Sequence, residues 1–148
     1  MDPRWEPKVV VVGVDGSEQS QHAAMVASSI ARRNAAKLFI VTVVRPPEGW
    51  WGIVGSPPTP AALGHSLSDA QQQVLDAVVA SVDLDGIDYD TVEEIGDPAS
   101  RLIAVCREQN ADVLVVGKRG AGLLERVVLG SVASRLAHET PCQLVIVP

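Results

Sequence analysis

Short apolar runs alternate along the chain with longer stretches whose apolar residues recur at helical spacing. Three runs are rich in β-branched residues, as is typical of strands covered on both faces, and they occupy residues 8–15, 37–44 and 113–116. A fourth apolar run, residues 143–147, closes the chain. Residues 87–94 alternate apolar and polar side chains, so we expect a half-exposed edge strand there.

Four helices are predicted between these strands. The first begins at the N-cap candidate Ser17 and runs to about residue 33, and the second spans about residues 67–82. The third begins at Asp97, with Pro98 in its first turn, and ends near residue 110. The fourth covers about residues 131–138. Strict alternation of five strands and four helices predicts one α/β domain, residues 1–148, with a doubly wound parallel sheet.

One region does not fit this alternation. Residues from 45 to about 66 carry many prolines and glycines, so we expect an irregular loop. A loop of this length in a compact domain is usually functional or disordered. Trp50 and Trp51 add large apolar area to it. They either pack the loop onto the body or a partner subunit, or form a lid that covers a ligand or stacks on a base.

The strand at 113–116 leads into a glycine-containing segment with a specific spacing. Gly117 and Gly120 are followed, after nine intervening residues, by Gly130 and Ser131, which open the fourth helix. Glycines allow a ligand to approach the backbone, and backbone N–H groups at a helix N-terminus bind anions. The spacing therefore indicates a phosphate cradle at the carboxyl end of a central strand. The alternative is that the first two glycines form a tight turn and the last pair a helix cap.

Composition and missing motifs narrow the function. Aromatic residues make up only 3% of the chain against 47% hydrophobic residues, so the core must be aliphatic. A net charge of −6 argues against nucleic-acid and anionic-membrane surfaces. The chain has no apolar run of transmembrane length and no signal-peptide core at its start, so we expect a cytoplasmic protein. Cys106 and Cys142 lack metal-ligand spacing and are expected to be reduced and buried.

Val14-Asp15-Gly16-Ser17, the glycine spacing and the terminal strand together resemble the universal stress protein family, in its ATP-binding branch. The resemblance implies a flavodoxin-like, or adenine nucleotide alpha hydrolase-like, five-stranded sheet in the order 3-2-1-4-5, and a homodimer. It implies that the adenosine is bordered by Gly13, Val14 and Asp15, and that adenine meets the backbone of Val43. It implies that Val116 and Gly117 border the ribose and phosphates, and that the triphosphate is held by Arg119, Gly120, Gly130, Ser131 and Val132.

The residues agree with a nucleotide site but do not fix what is done there. Asp15 can bind ribose hydroxyls or orient a metal such as Mg²⁺, or it can help to cap the first helix. Near the glycine segment lie Arg119, Arg126 and Arg135, and arginine side chains can pair with phosphate. No hydrolase or metalloprotease motif is present. The leading hypothesis is a module regulated by bound ATP; the alternatives are a slow ATP hydrolase or autokinase with Ser131 as acceptor, an AMP or cAMP binder, and a nucleotide-free interaction protein.

The expected edge strands differ in character. The last strand, Leu144-Val145-Ile146-Val147, is apolar on both faces, whereas the third strand carries four acidic residues. An open apolar edge is a pairing hazard. We therefore expect a two-fold dimer in which the last strand pairs with its own copy, unless the loop that follows residue 45 folds over it.

Overall fold

The computed structural model describes residues 4–45, 60–119 and 129–148, with the backbone alone for 60–67. Within these ranges five strands alternate with four helices. The strands are β1 (Val9–Val14), β2 (Lys37–Val44), β3 (Tyr89–Ile95), β4 (Val113–Gly117) and β5 (Gln143–Val147). The helices are α1 (Glu18–Asn34), α2 (Pro60–Ser81), α3 (Pro98–Glu108) and α4 (Ser131–Glu139). None of the helices described is long and apolar enough to cross a membrane.

The strands form one parallel sheet in the order β3-β2-β1-β4-β5, which confirms the predicted fold class and strand order. Pairing of β1 with β2 ends at Val14 and Thr42. Pairing of β1 with β4 ends two residues earlier on β1, at Val12 and Val115. The strand order reverses direction between β1 and β4, because the chain moves outward on one side through β2 and β3 and on the other side through β4 and β5. Ligands bind to such sheets at this switch point.

Alternate residues of the strands enter two separate cores. One face is covered by α1 and α2, where β1 contributes Val10, Val12 and Val14. The other face is covered by α3 and α4, where β1 contributes Val11. Small side chains on α1, among them Ala23 and Ala27, are fully buried and let the helix lie close to the sheet. A core made of aliphatic side chains follows from the composition.

Two predicted helix starts are confirmed by their caps. The Ser17 hydroxyl accepts a hydrogen bond from the Ser20 N–H at 3.2 Å. The Asp97 carboxylate accepts one from the Ser100 N–H at 2.9 Å, and Pro98 follows it in the first turn. Both caps satisfy N–H groups that have no partner within the helix.

Several predicted boundaries were wrong. Helix α2 begins at Pro60 rather than near residue 67, so residues 60–66 are helical and not irregular. A proline has no N–H to lose in the first helical turn, and it therefore starts this helix instead of ending the region's regular structure. Strand β3 is shifted to Tyr89–Ile95, and α3 ends at Glu108. Trp50 and Trp51 lie outside the described residues.

The two cysteines, 36 positions apart in sequence, are neighbours in the fold. Both are free thiols. Cys106 on α3 is buried, as expected. Cys142, just before β5, is half-buried, whereas full burial was expected. A hydrogen bond from the Cys106 thiol, opposed by partial burial, lowers the pKa of Cys142 to about 7. The same contact and the burial of its side chain raise the pKa of Cys106. Cys142 is therefore the more reactive thiol, because thiolates are the nucleophiles.

Alkylation by iodoacetamide is expected to occur at Cys142 with an inflection near pH 7, because its thiolate fraction rises as the pH passes the lowered pKa. Peptide mass spectrometry after short exposures from pH 5.5 to 9.5 gives the rate at each thiol. In Cys106→Ala the hydrogen-bond donor is lost, and the inflection should move up toward the usual cysteine pKa of about 8.5. An inflection at 8.5 or above in the wild-type protein would contradict the lowered pKa.

Candidate functional site

A cleft of about 300 Å³ opens at the carboxyl ends of β1, β2 and β4. It lies at the switch point of the sheet, where α/β proteins bind ligands, and its volume falls at the lower end of ligand pockets. It is lined by Gly13, Val14, Asp15, Val41, Val43, Arg45, Pro98, Leu102, Val116, Gly117, Lys118, Arg119, Gly130, Ser131, Val132 and Ala133.

One half of the cleft is apolar. Val41 and Val43 from β2 line it together with Pro98 and Leu102 from the first turns of α3. Val41 and Leu102 are also part of the core beneath α3 and α4, so this wall is continuous with the packed interior. A flat, weakly polar group such as a nucleobase suits a slot of this kind.

The other half is polar and positively charged. Lys118 and Arg119, which follow β4, line it beside the N-terminus of α4. The first intrahelical bond runs from the Ser134 N–H to the Gly130 carbonyl at 2.8 Å. The N–H groups of Ser131, Val132 and Ala133 therefore precede the helical hydrogen-bond ladder, and the Gly130 cap has no side chain to receive them. Such a helix end attracts anions.

Gly130 contributes space to this half and not a donor. Its own N–H donates to the Lys118 carbonyl at 2.8 Å, and the Lys118 N–H donates to the Val147 carbonyl at 2.7 Å. These two bonds fix the start of α4 against the end of β4. The donors available to an anion are consequently the backbone N–H groups of the first turn of α4, which begins one residue after Gly130.

Two predicted glycines are required by the packing of the protein itself. A Cβ on Gly13 would lie 2.9 Å from Cδ1 of Leu102, and a Cβ on Gly117 would lie 2.9 Å from Cβ and 3.1 Å from the backbone carbon of Gln19. All three distances are shorter than the usual carbon–carbon contact of about 3.5–4.0 Å. Gly13 therefore lets α3 approach the sheet, and Gly117 does the same for the first turn of α1.

Asp15 is part of the turn that leads into α1. One of its carboxylate oxygens accepts a hydrogen bond from the Ser17 N–H at 2.9 Å, and its own N–H donates to Oγ of Ser20 at 3.3 Å. This is the capping role that was the alternative to ligand binding. The side chain is nevertheless exposed and lines the cleft, so the two roles are compatible.

Sequence reasoning missed a charged pair at the rim. The Arg45 guanidinium pairs with the Asp97 carboxylate, which also pairs with Arg135 of α4. A backbone hydrogen bond from Ser100, with the two arginines adding to it, holds the pKa of Asp97 below its usual value. Asp97 therefore connects the end of β2, the start of α3 and the side of α4. Arg45 directly follows β2, and this position at the carboxyl end of a strand could have identified it as a residue of the cleft.

The structure brings together all but one of the predicted site residues. Those lining the cleft are Gly13, Val14, Asp15, Val43, Val116, Gly117, Arg119, Gly130, Ser131 and Val132. Gly120 lies outside the described residues, as does Arg126. Arg135 pairs with Asp97 and Glu139 and is not part of the cleft lining. The role of each residue toward a nucleotide stays a prediction.

Among the residues that the structure describes, no group of three or more histidine, cysteine, aspartate or glutamate side chains could hold a metal ion. Among the described residues that line the cleft, Asp15 supplies the one carboxylate. A Mg²⁺ ion bound with a nucleotide needs only one or two protein carboxylates, because phosphate oxygens and water complete its coordination. The cleft lining is therefore compatible with a magnesium ion that arrives with a polyphosphate, and Asp15 is the carboxylate that would hold it.

Comparisons with known proteins agree on one family. The model of the universal stress protein family matches residues 7–148. A universal stress protein of Methanocaldococcus jannaschii is 29% identical over 147 residues, which cover 95% of this chain and 81% of that protein.

Solved structures extend the agreement to three dimensions. The universal stress protein UspA from Lactobacillus plantarum shares the fold with a TM-score of 0.74 and 22% identity, covering 98% of this chain and 100% of that one. A universal stress protein crystallised in complex with cAMP has a TM-score of 0.67 and 27% identity, covering 97% of this chain and 99% of that one. With its sheet order, its cleft and the match over residues 7–148, the chain belongs to the universal stress protein family.

Proposed function

We propose that this protein binds an adenine nucleotide, with ATP as the first candidate, and acts as a nucleotide-regulated binding module in a stress response. The observation that carries the proposal is the division of one cleft into two chemically different halves. Val41, Val43, Pro98 and Leu102 form an apolar slot for a base, and the N-terminus of α4 with its neighbouring cations suits phosphates. Asp15 lies in the same lining, where it can reach ribose hydroxyls or a magnesium ion.

A cyclic or single phosphate is the second candidate, because a relative of 27% identity was crystallised with cAMP. Three features favour a longer phosphate chain. Lys118, Arg119 and the first turn of α4 together supply more positive charge and donors than one phosphate needs.

Hydrolysis or autophosphorylation is a separate question. Ser131 is exposed at the helix start and is the hydroxyl that could accept a phosphoryl group.

Mass spectrometry of the small molecules released on denaturation tests the proposal directly. Protein purified without added nucleotide is expected to release ATP, or to bind added ATP with Mg²⁺ in calorimetry. Incubation of the loaded protein, followed by a second measurement, separates a binding module from a hydrolase: intact ATP after hours indicates binding alone, and ADP indicates turnover. Protein that releases no nucleotide and binds neither ATP, AMP nor cAMP would show that the cleft serves another purpose.

A homodimer through β5 is part of the same proposal. This strand is an edge of the sheet, and Leu144, Val145 and Ile146 are only half-buried. Pairing with a second copy about a two-fold axis would cover these side chains and continue the sheet.

A further inference from the structure

The hydrogen bonds of β2 alternate strictly between its two neighbours. The Lys37 N–H donates to the Lys8 carbonyl, next to β1, and the Leu38 N–H donates to the Asp88 carbonyl, next to β3, each at 2.9 Å. In a strand, consecutive residues direct their backbone groups to opposite sides. Odd-numbered residues of β2 therefore face β1, and even-numbered residues face β3; Val44, whose carbonyl accepts from Gly96, follows the rule.

Val43 faces β1 by this alternation, at a point where β1 has just ended. The last residue pair between the two strands is Val14 with Thr42. Beyond it the chain turns away, and the Asp15 N–H donates to the Ser20 hydroxyl. Within the described ranges, no backbone N–H of this turn donates to the Val43 carbonyl. Because Val43 also lines the apolar half of the cleft, its carbonyl is an acceptor for a ligand there.

Gln71 of α2 holds the backbone around this acceptor. Its side-chain amide nitrogen donates to the Thr42 carbonyl at 3.1 Å and to the Glu94 carbonyl at 2.7 Å. Thr42 immediately precedes Val43, and Glu94 is the register partner of Val43 on β3. One side chain thus ties the residue before Val43 to the residue opposite it.

The position of Gln71 argues for a specific role. The side chain is 2% exposed, on a helix face whose next buried residues are Leu75 and Val78. A buried amide in such surroundings is costly unless it is hydrogen-bonded. An aliphatic residue would fill the space without that requirement, but it would leave the end of β2 without these two bonds. Beyond Thr42 the register with β1 has ended, whereas the register with β3 continues to Val44, so the end of β2 is paired on one side.

We propose that Gln71 is a positioning residue for base recognition. By fixing the ends of β2 and β3, it holds the Val43 carbonyl where it accepts a hydrogen bond from the exocyclic amino group of adenine. This inference rests on the proposed nucleotide function and adds to it a determinant that lies on the opposite face of the sheet from the base. Gln71 does not itself line the cleft.

The test compares Gln71→Met with Gln72→Met. Methionine matches glutamine in length but donates no hydrogen bond, and Gln72 is an exposed neighbour whose amide donates to Asp76 on its own helix. Calorimetry with three ligands separates the parts of the site: ATP, the triphosphate of purine riboside, which lacks the amino group, and inorganic triphosphate. The wild-type protein and Gln72→Met should prefer ATP over purine riboside triphosphate. In Gln71→Met, ATP affinity should fall about tenfold, about 1.4 kcal/mol.

In Gln71→Met, the ratio of the affinity for ATP to the affinity for purine riboside triphosphate should then approach one. The affinity for inorganic triphosphate should stay unchanged. An unchanged ATP preference in Gln71→Met overturns the inference while leaving the proposed function intact. An equal loss for all three ligands also overturns it, since a general loosening of the fold would act on all of them. Wild-type protein that binds no adenine nucleotide overturns the proposed function and this inference with it.

A measurement on the wild-type protein covers the case in which Gln71→Met does not fold. Saturating ATP should shift the side-chain amide resonances of Gln71 in nitrogen-15 NMR spectra, because its acceptor carbonyls, on Thr42 and Glu94, adjoin Val43, which is proposed to bind the base. Inorganic triphosphate should leave them in place, and the Gln72 amide should respond to neither ligand. A Gln71 amide that does not move with saturating ATP overturns the inference.

Discussion

Gly130→Val is expected to weaken ATP binding at least tenfold, or about 1.4 kcal/mol, with the fold retained. Gly130 is buried, lines the cleft and caps α4 in the extended region, with φ −67° and ψ 161°. Valine adopts this conformation without strain, so its two methyl groups and not a backbone change would cause the loss. They would occupy space beside the N–H groups of Ser131 and Val132, where a phosphate is proposed to lie.

Calorimetry and circular dichroism on the same samples check this expectation. Ala137→Val is the matched control, because Ala137 is exposed on the same helix and lies outside the cleft lining. It introduces the same branched side chain on α4 without approaching the ligand. Gly120→Val, the companion variant from the glycine spacing, should also lose affinity. Unchanged affinity in both glycine variants would rule out the phosphate cradle.

Ile146→Pro is expected to convert a wild-type dimer into a monomer. The Lys118 N–H donates to the Val147 carbonyl, so odd-numbered residues of β5 face β4 and even-numbered ones, Leu144 and Ile146, face the open edge. A proline at Ile146 removes an outward N–H and leaves the ladder with β4 unchanged. Antiparallel pairing with a second copy would lose a hydrogen bond at the centre of the interface and meet a bulky ring there.

Light scattering after gel filtration at micromolar concentration gives the assembly state. Thr91→Pro is the matched control. It lies on the other edge strand, β3, where even-numbered residues face β2, so its N–H also points outward. This variant should remain a dimer. A monomeric wild-type protein would contradict the proposed assembly, and an Ile146→Pro dimer as stable as the wild type would place the contact elsewhere.

The sequence predicted those parts of the fold that local chemistry determines. Runs of β-branched residues such as 9–12 and 113–116 have few ways to be buried except in central strands. Ser17 and Asp97 carry capping side chains at helix starts, and both caps are present. Pro60 misled the prediction, because proline both ends and begins helices, and the sequence alone does not distinguish the two uses.

The parts of the cleft that sequence missed depend on contacts between distant segments. Pro98 and Leu102 reach the apolar half of the cleft because α3 packs at the ends of β1 and β2, which no local pattern encodes. Arg45 is held at the rim by Asp97, 52 residues away. Gln71 had no signal in the sequence, since a glutamine on a helix is usually a solvated side chain. The contact between the thiols of Cys106 and Cys142 likewise depends on segments that are distant in the sequence.

The close packing at Gly13 and Gly117 means that a glycine at these two positions does not by itself indicate a ligand site in a protein of this fold. A descendant without the proposed nucleotide site would still need glycine at both, because Leu102 and Gln19 occupy the space of the missing side chains. Selection for the ligand would be relaxed, yet selection for the closeness of α1 and α3 to the sheet would persist. Substitution at Gly130 would instead be tolerated by the backbone, whose extended conformation suits any residue. In such a lineage we therefore expect substitutions to appear first at Gly130 and last at Gly13 and Gly117.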